Sequence, residues 1–208
     1  MKVPAWARKA PRGLEIPEPL WDVLAAAYAS PGRAYHTLDH VREVVRLFHE
    51  VTHTVSWRHP REAFLALLFH DAVYEPGASD NEAKSVLLAR ETLARFPPGT
   101  GVDVDRVARL IELTARHGHL QPEEVDADSA LFLDCDMAIL GAEPEAYAAY
   151  ETGIAQEYRA LSAEVFAAGR RHFLERLLAS PRIYLSEYFH EALEDLARRN
   201  LRAAVGDG

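Results

Sequence analysis

Apolar positions recur along this chain at a helical interval, and nowhere does the period-two alternation of a strand persist. Val41, Val44, Val45, Phe48, Val51 and Val55 fall on one stripe at about 100° per residue, the pattern of an amphipathic helix. Turn signals at Pro31-Gly32, Pro76-Gly77, Pro97-Pro98-Gly99, Gly118, Gly141 and Pro181 cut the chain into helical lengths. The segments predict helices near 18–29, 38–57, 61–74, 80–96, 103–117, 127–140, 144–160, 163–179 and 186–204. Thr37 is placed to cap the second, and Ser79 with Glu82 to form a capping box at the fourth. Asp103 and Ser186 sit where orphan N–H groups want an acceptor. No fixed-period repeat, low-complexity tract or long linker interrupts the pattern. The expectation is an all-α single domain over 1–208, a bundle of about eight or nine helices, with 1–17 as an irregular N-terminal segment.

Composition narrows the class. At 208 residues, 49% of them apolar and 26% charged, the chain can bury a real core and reads as globular. A formal charge of -9 argues against general nucleic-acid binding, which needs clustered Lys and Arg. The longest apolar run, Ala63 to Phe69, is far shorter than the roughly 20 residues that span a bilayer. The proline-rich start lacks the apolar stretch of a signal peptide, so no membrane association is expected. A single cysteine allows neither an internal disulfide nor a Cys-rich zinc site, and fits a reducing cytoplasm. With ten histidines, any metal site must draw on imidazole and carboxylate.

The most conspicuous histidines point the wrong way. His49-Glu50-Val51-Thr52-His53 matches the HExxH pattern of zinc proteases, and His59 extends it, with Ser56 where glycine is expected. His49 and His53 lie roughly 130–170° from the buried stripe of their helix, beside Arg42 and Arg46, at solvent positions. The longer signature also needs a methionine turn, and the only methionines are Met1 and Met137. The protease reading is set aside.

Charges inside apolar runs carry more weight. Phe64 to Phe69 is apolar on all sides, hence a buried helix, and it runs directly into His70-Asp71. A second apolar run, Leu131 to Leu140, is interrupted by Asp134 and Asp136, which on a helix project about 160° apart. His40 lies roughly 50° from the centre of its helix's buried stripe and points inward. An unpaired buried carboxylate costs many kcal/mol, and one divalent cation would satisfy the whole donor set.

His40, the His70-Asp71 doublet and Asp136 together resemble the H…HD…D signature of the HD superfamily of metal-dependent phosphohydrolases. The spacing is 30 residues from His40 to His70 and 65 from Asp71 to Asp136. A subgroup of small predicted HD phosphohydrolases is closer still. It is echoed by Tyr35-His36-Thr37-Leu38-Asp39-His40, Phe69-His70-Asp71-Ala72-Val73-Tyr74, Asp80-Asn81-Glu82, Thr114-Ala115-Arg116-His117 and Phe132-Leu133-Asp134-Cys135-Asp136. Gln156-Glu157-Tyr158-Arg159 and Gly169-Arg170 extend the likeness over roughly 18–204. One departure is Met137, where many HD enzymes carry Lys or Arg. It leaves a phosphate contact unfilled and keeps Asp134 open as an alternative fourth ligand.

The resemblance implies hydrolysis of a phosphate ester or anhydride, of a nucleotide or a related small molecule, by a metal-activated water. It makes His40, His70, Asp71 and Asp136 the metal ligands, with Asp71 also orienting the nucleophile. Glu82 is the candidate general acid or base, against its alternative role in the capping box. Lys84, His36 and His117 are candidate substrate contacts, with Arg159 and Arg170 as further local cations. Nitrogen ligands suit Mn²⁺, Fe²⁺, Co²⁺, Ni²⁺ or Zn²⁺ better than Mg²⁺, and His36 and His117 allow a second ion. The rival readings are a metal- and nucleotide-binding sensor that does not hydrolyse, and a di-iron HD oxygenase. Aromatic residues near Tyr184, Tyr188 and Phe189 are read as exposed and able to support a homodimer.

Overall fold

A computed structural model of the chain describes residues 2–206; 1, 207 and 208, at the ends of the expected domain, lie outside the described residues. Among those described, nine α-helices and two 3-10 turns form, with no strand, so the molecule is all-α. No helix among them is long and apolar enough to cross a membrane. The backbone clusters into two compact units, one ending at Ala115 and one beginning at Arg116. The boundary falls in a short turn and not in a linker.

The first unit holds α1 (Glu18–Tyr28), α2 (Leu38–Thr52), α3 (Pro60–Phe69), α4 (Asn81–Arg95) and α5 (Val104–Thr114). α3 is its centre: α2, α4 and α5 all pack against it, and every residue from Glu62 to Phe69 is buried. That is why this helix is apolar on all sides. Its one buried charge in that stretch, Glu62, accepts from the Asp103 N–H at 3.1 Å, tying α3 to the start of α5. Residues 2–17 are irregular, yet they place Val3, Ala7 and Leu14 in the core.

The second unit holds α6 (Ala127–Met137), α7 (Pro144–Glu157), α8 (Ala163–Ala179) and α9 (Glu187–Val205), with 3-10 turns at Pro122–Glu124 and Ala138–Gly141. α9 packs on α6, on α8 and on the turn that continues α6. Gly141 permits that approach, since a Cβ there would lie 2.7 Å from the Leu193 Cβ. The Asn200 amide then holds the turn by donating to the Leu140 and Ala142 carbonyls at 2.9 and 2.8 Å.

Several helices stop earlier than the periodicity suggests. α2 ends at Thr52, α3 at Phe69 and α5 at Thr114, so His70, Asp71 and His117 all lie in the turns beyond. Gly118, with φ of +73°, turns the chain directly after His117. Thr37, Asp103 and Ser186 each accept an N–H at their helix starts, as expected. The capping box does not form: the N-cap of α4 is Asp80, without a side-chain cap, because the Asp80 carboxylate pairs with Lys84 at 2.8 Å. The aromatic surface near the start of α9 is also corrected. Tyr184 and Phe189 are buried, and Tyr188 is half-buried.

Candidate metal centre

In the first unit, His40 arrives on α2, and His70-Asp71 arrives where α3 gives way to a turn. Both imidazoles are buried and Asp71 is half-buried. His40 Nε2 and His70 Nε2 are 3.0 Å apart, and Asp71 Oδ2 lies 3.0 Å from His70 Nε2 and 3.6 Å from His40 Nε2. His70 Nδ1 meets the Leu67 carbonyl at 2.9 Å. A proton on Nδ1 satisfies that carbonyl and leaves the Nε2 lone pair facing His40 and Asp71, the arrangement metal-ligating histidines use. Ligands with bonds of about 2.1 Å to one ion stand roughly 3 to 3.5 Å from each other, which is the spacing found. These residues therefore form a His/Asp group that can hold a metal ion.

The segment after Asp71 is clamped at several places. Arg33 donates to the Asp71 and Ala72 carbonyls, both at 2.9 Å. Ser85 on α4 exchanges hydrogen bonds with Val73, and Asn81 does the same with Glu75. Arg33 and Ser85 were not singled out from the sequence, and Asn81 entered only within Asp80-Asn81-Glu82; a polar Ser and Asn at buried positions of α4 were the available signal. His36 stacks on Tyr74, with ring centroids 4.0 Å apart. Glu82 is half-buried in the first turn of α4, and Lys84 is exposed and paired with Asp80.

In the second unit, His117 Nε2 and Asp136 Oδ2 are 2.9 Å apart. Asp134, two residues earlier, is committed elsewhere. Its carboxylate accepts from the Leu185 N–H at 2.8 Å, the Ser186 N–H at 2.7 Å and the Ser186 hydroxyl at 2.6 Å. Burial pushes its pKa up to about 6 against the pull of those donors. Asp134 thus anchors the start of α9, whereas Asp136 faces the His117 imidazole. Met137 is a core residue at the end of α6. Arg170 is paired with Glu151 and lies over the Tyr150 and Phe173 rings, while Arg159 is exposed and donates to the Gln156 carbonyl.

The HExxH histidines are not brought together with these donors. His53 and His59 are exposed. His49 corrects the helical-phase reading, because it is half-buried, with its ring edge-on to Phe48 and near Phe64. Burial, with Lys9 and His53 nearby, lowers its pKa. Lys9 belongs to the N-terminal segment, whose course helical phase cannot register.

No family model matches this chain, and no curated protein or solved structure matches it either.

Proposed function

We propose that His40, His70 and Asp71, with Asp136 as the fourth donor that the H…HD…D resemblance supplies, hold a divalent cation, and that the protein hydrolyses a small phosphate ester or anhydride in the manner of HD phosphohydrolases. The observation that carries this reading is the mutual facing of two imidazole Nε2 atoms and a carboxylate at ligand spacing. A bound cation lowers the pKa of a water and draws negative charge from a phosphoryl oxygen. Asp71 orients the attacking water, because its carboxylate sits beside both imidazoles and its backbone is held from outside. Glu82, which has no capping duty at α4, serves as general acid or base. His117, oriented by Asp136, donates to the substrate, and His36 on its Tyr74 platform contacts it. Lys84 adds positive charge for a phosphate. Imidazole nitrogen favours Mn²⁺, Fe²⁺, Co²⁺, Ni²⁺ or Zn²⁺ over Mg²⁺. A nucleotide is the substrate class of choice.

The competing reading is a sensor that binds without hydrolysis, favoured by Met137 lying in the core where related enzymes carry a cation. Di-iron oxygenase chemistry would require His36 or His117 as additional ligands, and oxygen consumption by iron-loaded protein would select it.

Metal content and phosphate release test the proposal together. Wild-type protein supplied with Mn²⁺ or Co²⁺ is expected to bind metal and to release phosphate from at least one of a panel of nucleotides, or the alcohol from a phosphodiester. His70→Ala and Asp71→Ala are expected to lose both. Undiminished metal in either variant would sink the site, and nucleotide binding without phosphate release would select the sensor.

A further inference from the structure

Asp71 lies past the last turn of α3, so helix geometry does not determine where its carboxylate points. Something else must hold it. The Arg33 guanidinium donates from Nη1 to the Asp71 carbonyl at 2.9 Å and to the His36 carbonyl at 2.7 Å. Nη2 donates to the Ala72 carbonyl at 2.9 Å, and Nε to the Ser30 hydroxyl at 2.7 Å. The guanidinium carbon sits 5.0 Å from the Tyr28 ring centroid and 5.7 Å from that of Tyr74. Tyr28 is itself tied to α3 through the Leu68 carbonyl at 3.1 Å, and Tyr74 stacks on His36.

One planar group thus joins the strand of chain that leads into α2 and His40 to the turn that carries Asp71. Four directional bonds from a rigid fork leave it no freedom to rotate, whereas an ammonium is a point charge with no such plane. Its position beyond the C-terminal end of α3 also places a cation at the negative end of that helix's dipole.

We infer that Arg33 is a positioning residue that sets the metal affinity of this site by fixing Asp71 relative to His40. This rests on the metal-binding reading above. Partners that orient metal ligands from outside typically change affinity by about 10–100-fold when removed.

Cobalt titrations separate this role from general support of the fold. Arg33→Ala and Arg33→Lys are expected to bind Co²⁺ about 10–100-fold more weakly than wild type, with far-ultraviolet circular dichroism unchanged. Arg33→Lys retains the charge and guards against a failure of the alanine variant to fold. Arg61→Met is the control, because Arg61 also clamps backbone, donating to the Thr100 and Gly101 carbonyls at 2.9 and 3.0 Å, in a loop that carries no ligand. That variant is expected to melt earlier yet keep wild-type affinity. Wild-type affinity in either Arg33 variant, or an equal loss in Arg61→Met, overturns the positioning role while leaving the metal site standing. A wild-type protein that binds no cobalt overturns the metal reading and this role with it.

Discussion

Asp134 and Asp136 stand two residues apart on one helix and serve different ends. The first spends its carboxylate on two backbone N–H groups and a hydroxyl; the second faces an imidazole. Asp134→Ala would strand the Leu185 and Ser186 N–H groups and is expected to cost about 3 kcal/mol, read as a lower urea midpoint, while metal content stays at the wild-type level. Asp136→Ala is expected to lower metal content with a smaller shift in midpoint. Equal metal loss in the two variants would make Asp134 a ligand. Their divergence on the helix was legible beforehand, since i and i+2 cannot share a face. Which of the two meets a backbone donor was not, because those donors come from residues 51 and 52 positions later. Arg33 escaped the sequence reading for a similar reason. A lone arginine in a loop carries no periodic signal, and three of its four acceptors are backbone carbonyls, which no side-chain pattern reveals.

Among the helices, the starts were easier to read than the ends. A cap is a local event, in which one side chain meets an N–H two or three residues on, so Thr37, Asp103 and Ser186 could be found directly. Asp103→Ala is expected to cost about 1 kcal/mol, and Ser79→Ala to stay within about 0.5 kcal/mol, because no capping box forms at α4. Thermal melts of both variants check this. Helix ends respond instead to the turn that follows. α3 stops at Phe69 where the Asp71 and Ala72 carbonyls turn toward Arg33, although the apolar pattern continues. α9 is held at its start by a buried carboxylate of its own. Glu194 accepts from the Ile183 N–H at 3.1 Å and the Tyr184 N–H at 3.2 Å, and from Arg198 at 2.8 Å. Burial alone would raise its pKa; these donors outweigh burial and lower it. A depressed carboxylate pKa stabilises the fold above its unfolded value of about 4.3, and that contribution is lost as pH falls through the lower folded value. Urea midpoints of wild type and Glu194→Gln are therefore expected to differ by a constant amount above pH of about 5 and to converge under more acid conditions. A gap that widens on acidification would contradict this assignment.

For the whole molecule, metal binding has a thermodynamic signature that does not depend on turnover. A ligand that binds only the folded chain stabilises it by about 2.7 kcal/mol at a hundredfold excess over its Kd. Co²⁺ is expected to raise the melting temperature of wild type and to leave His70→Ala unmoved; equal shifts in both would place the ion elsewhere. The all-helical class, the approximate helix positions and the inward turn of His40 followed from the chain alone, because a 3.6-residue period is a property of neighbouring positions. So did the exclusion of a Cys-rich metal site, which needs only a count of one cysteine. Tertiary structure alone decided three further matters: that His49 is half-buried with its ring near Phe48 and Phe64, that Tyr184 and Phe189 belong to the core, and that Asp134 is consumed by the start of α9. Each depends on what long-range folding brings against a residue, and neither periodicity nor composition carries that information.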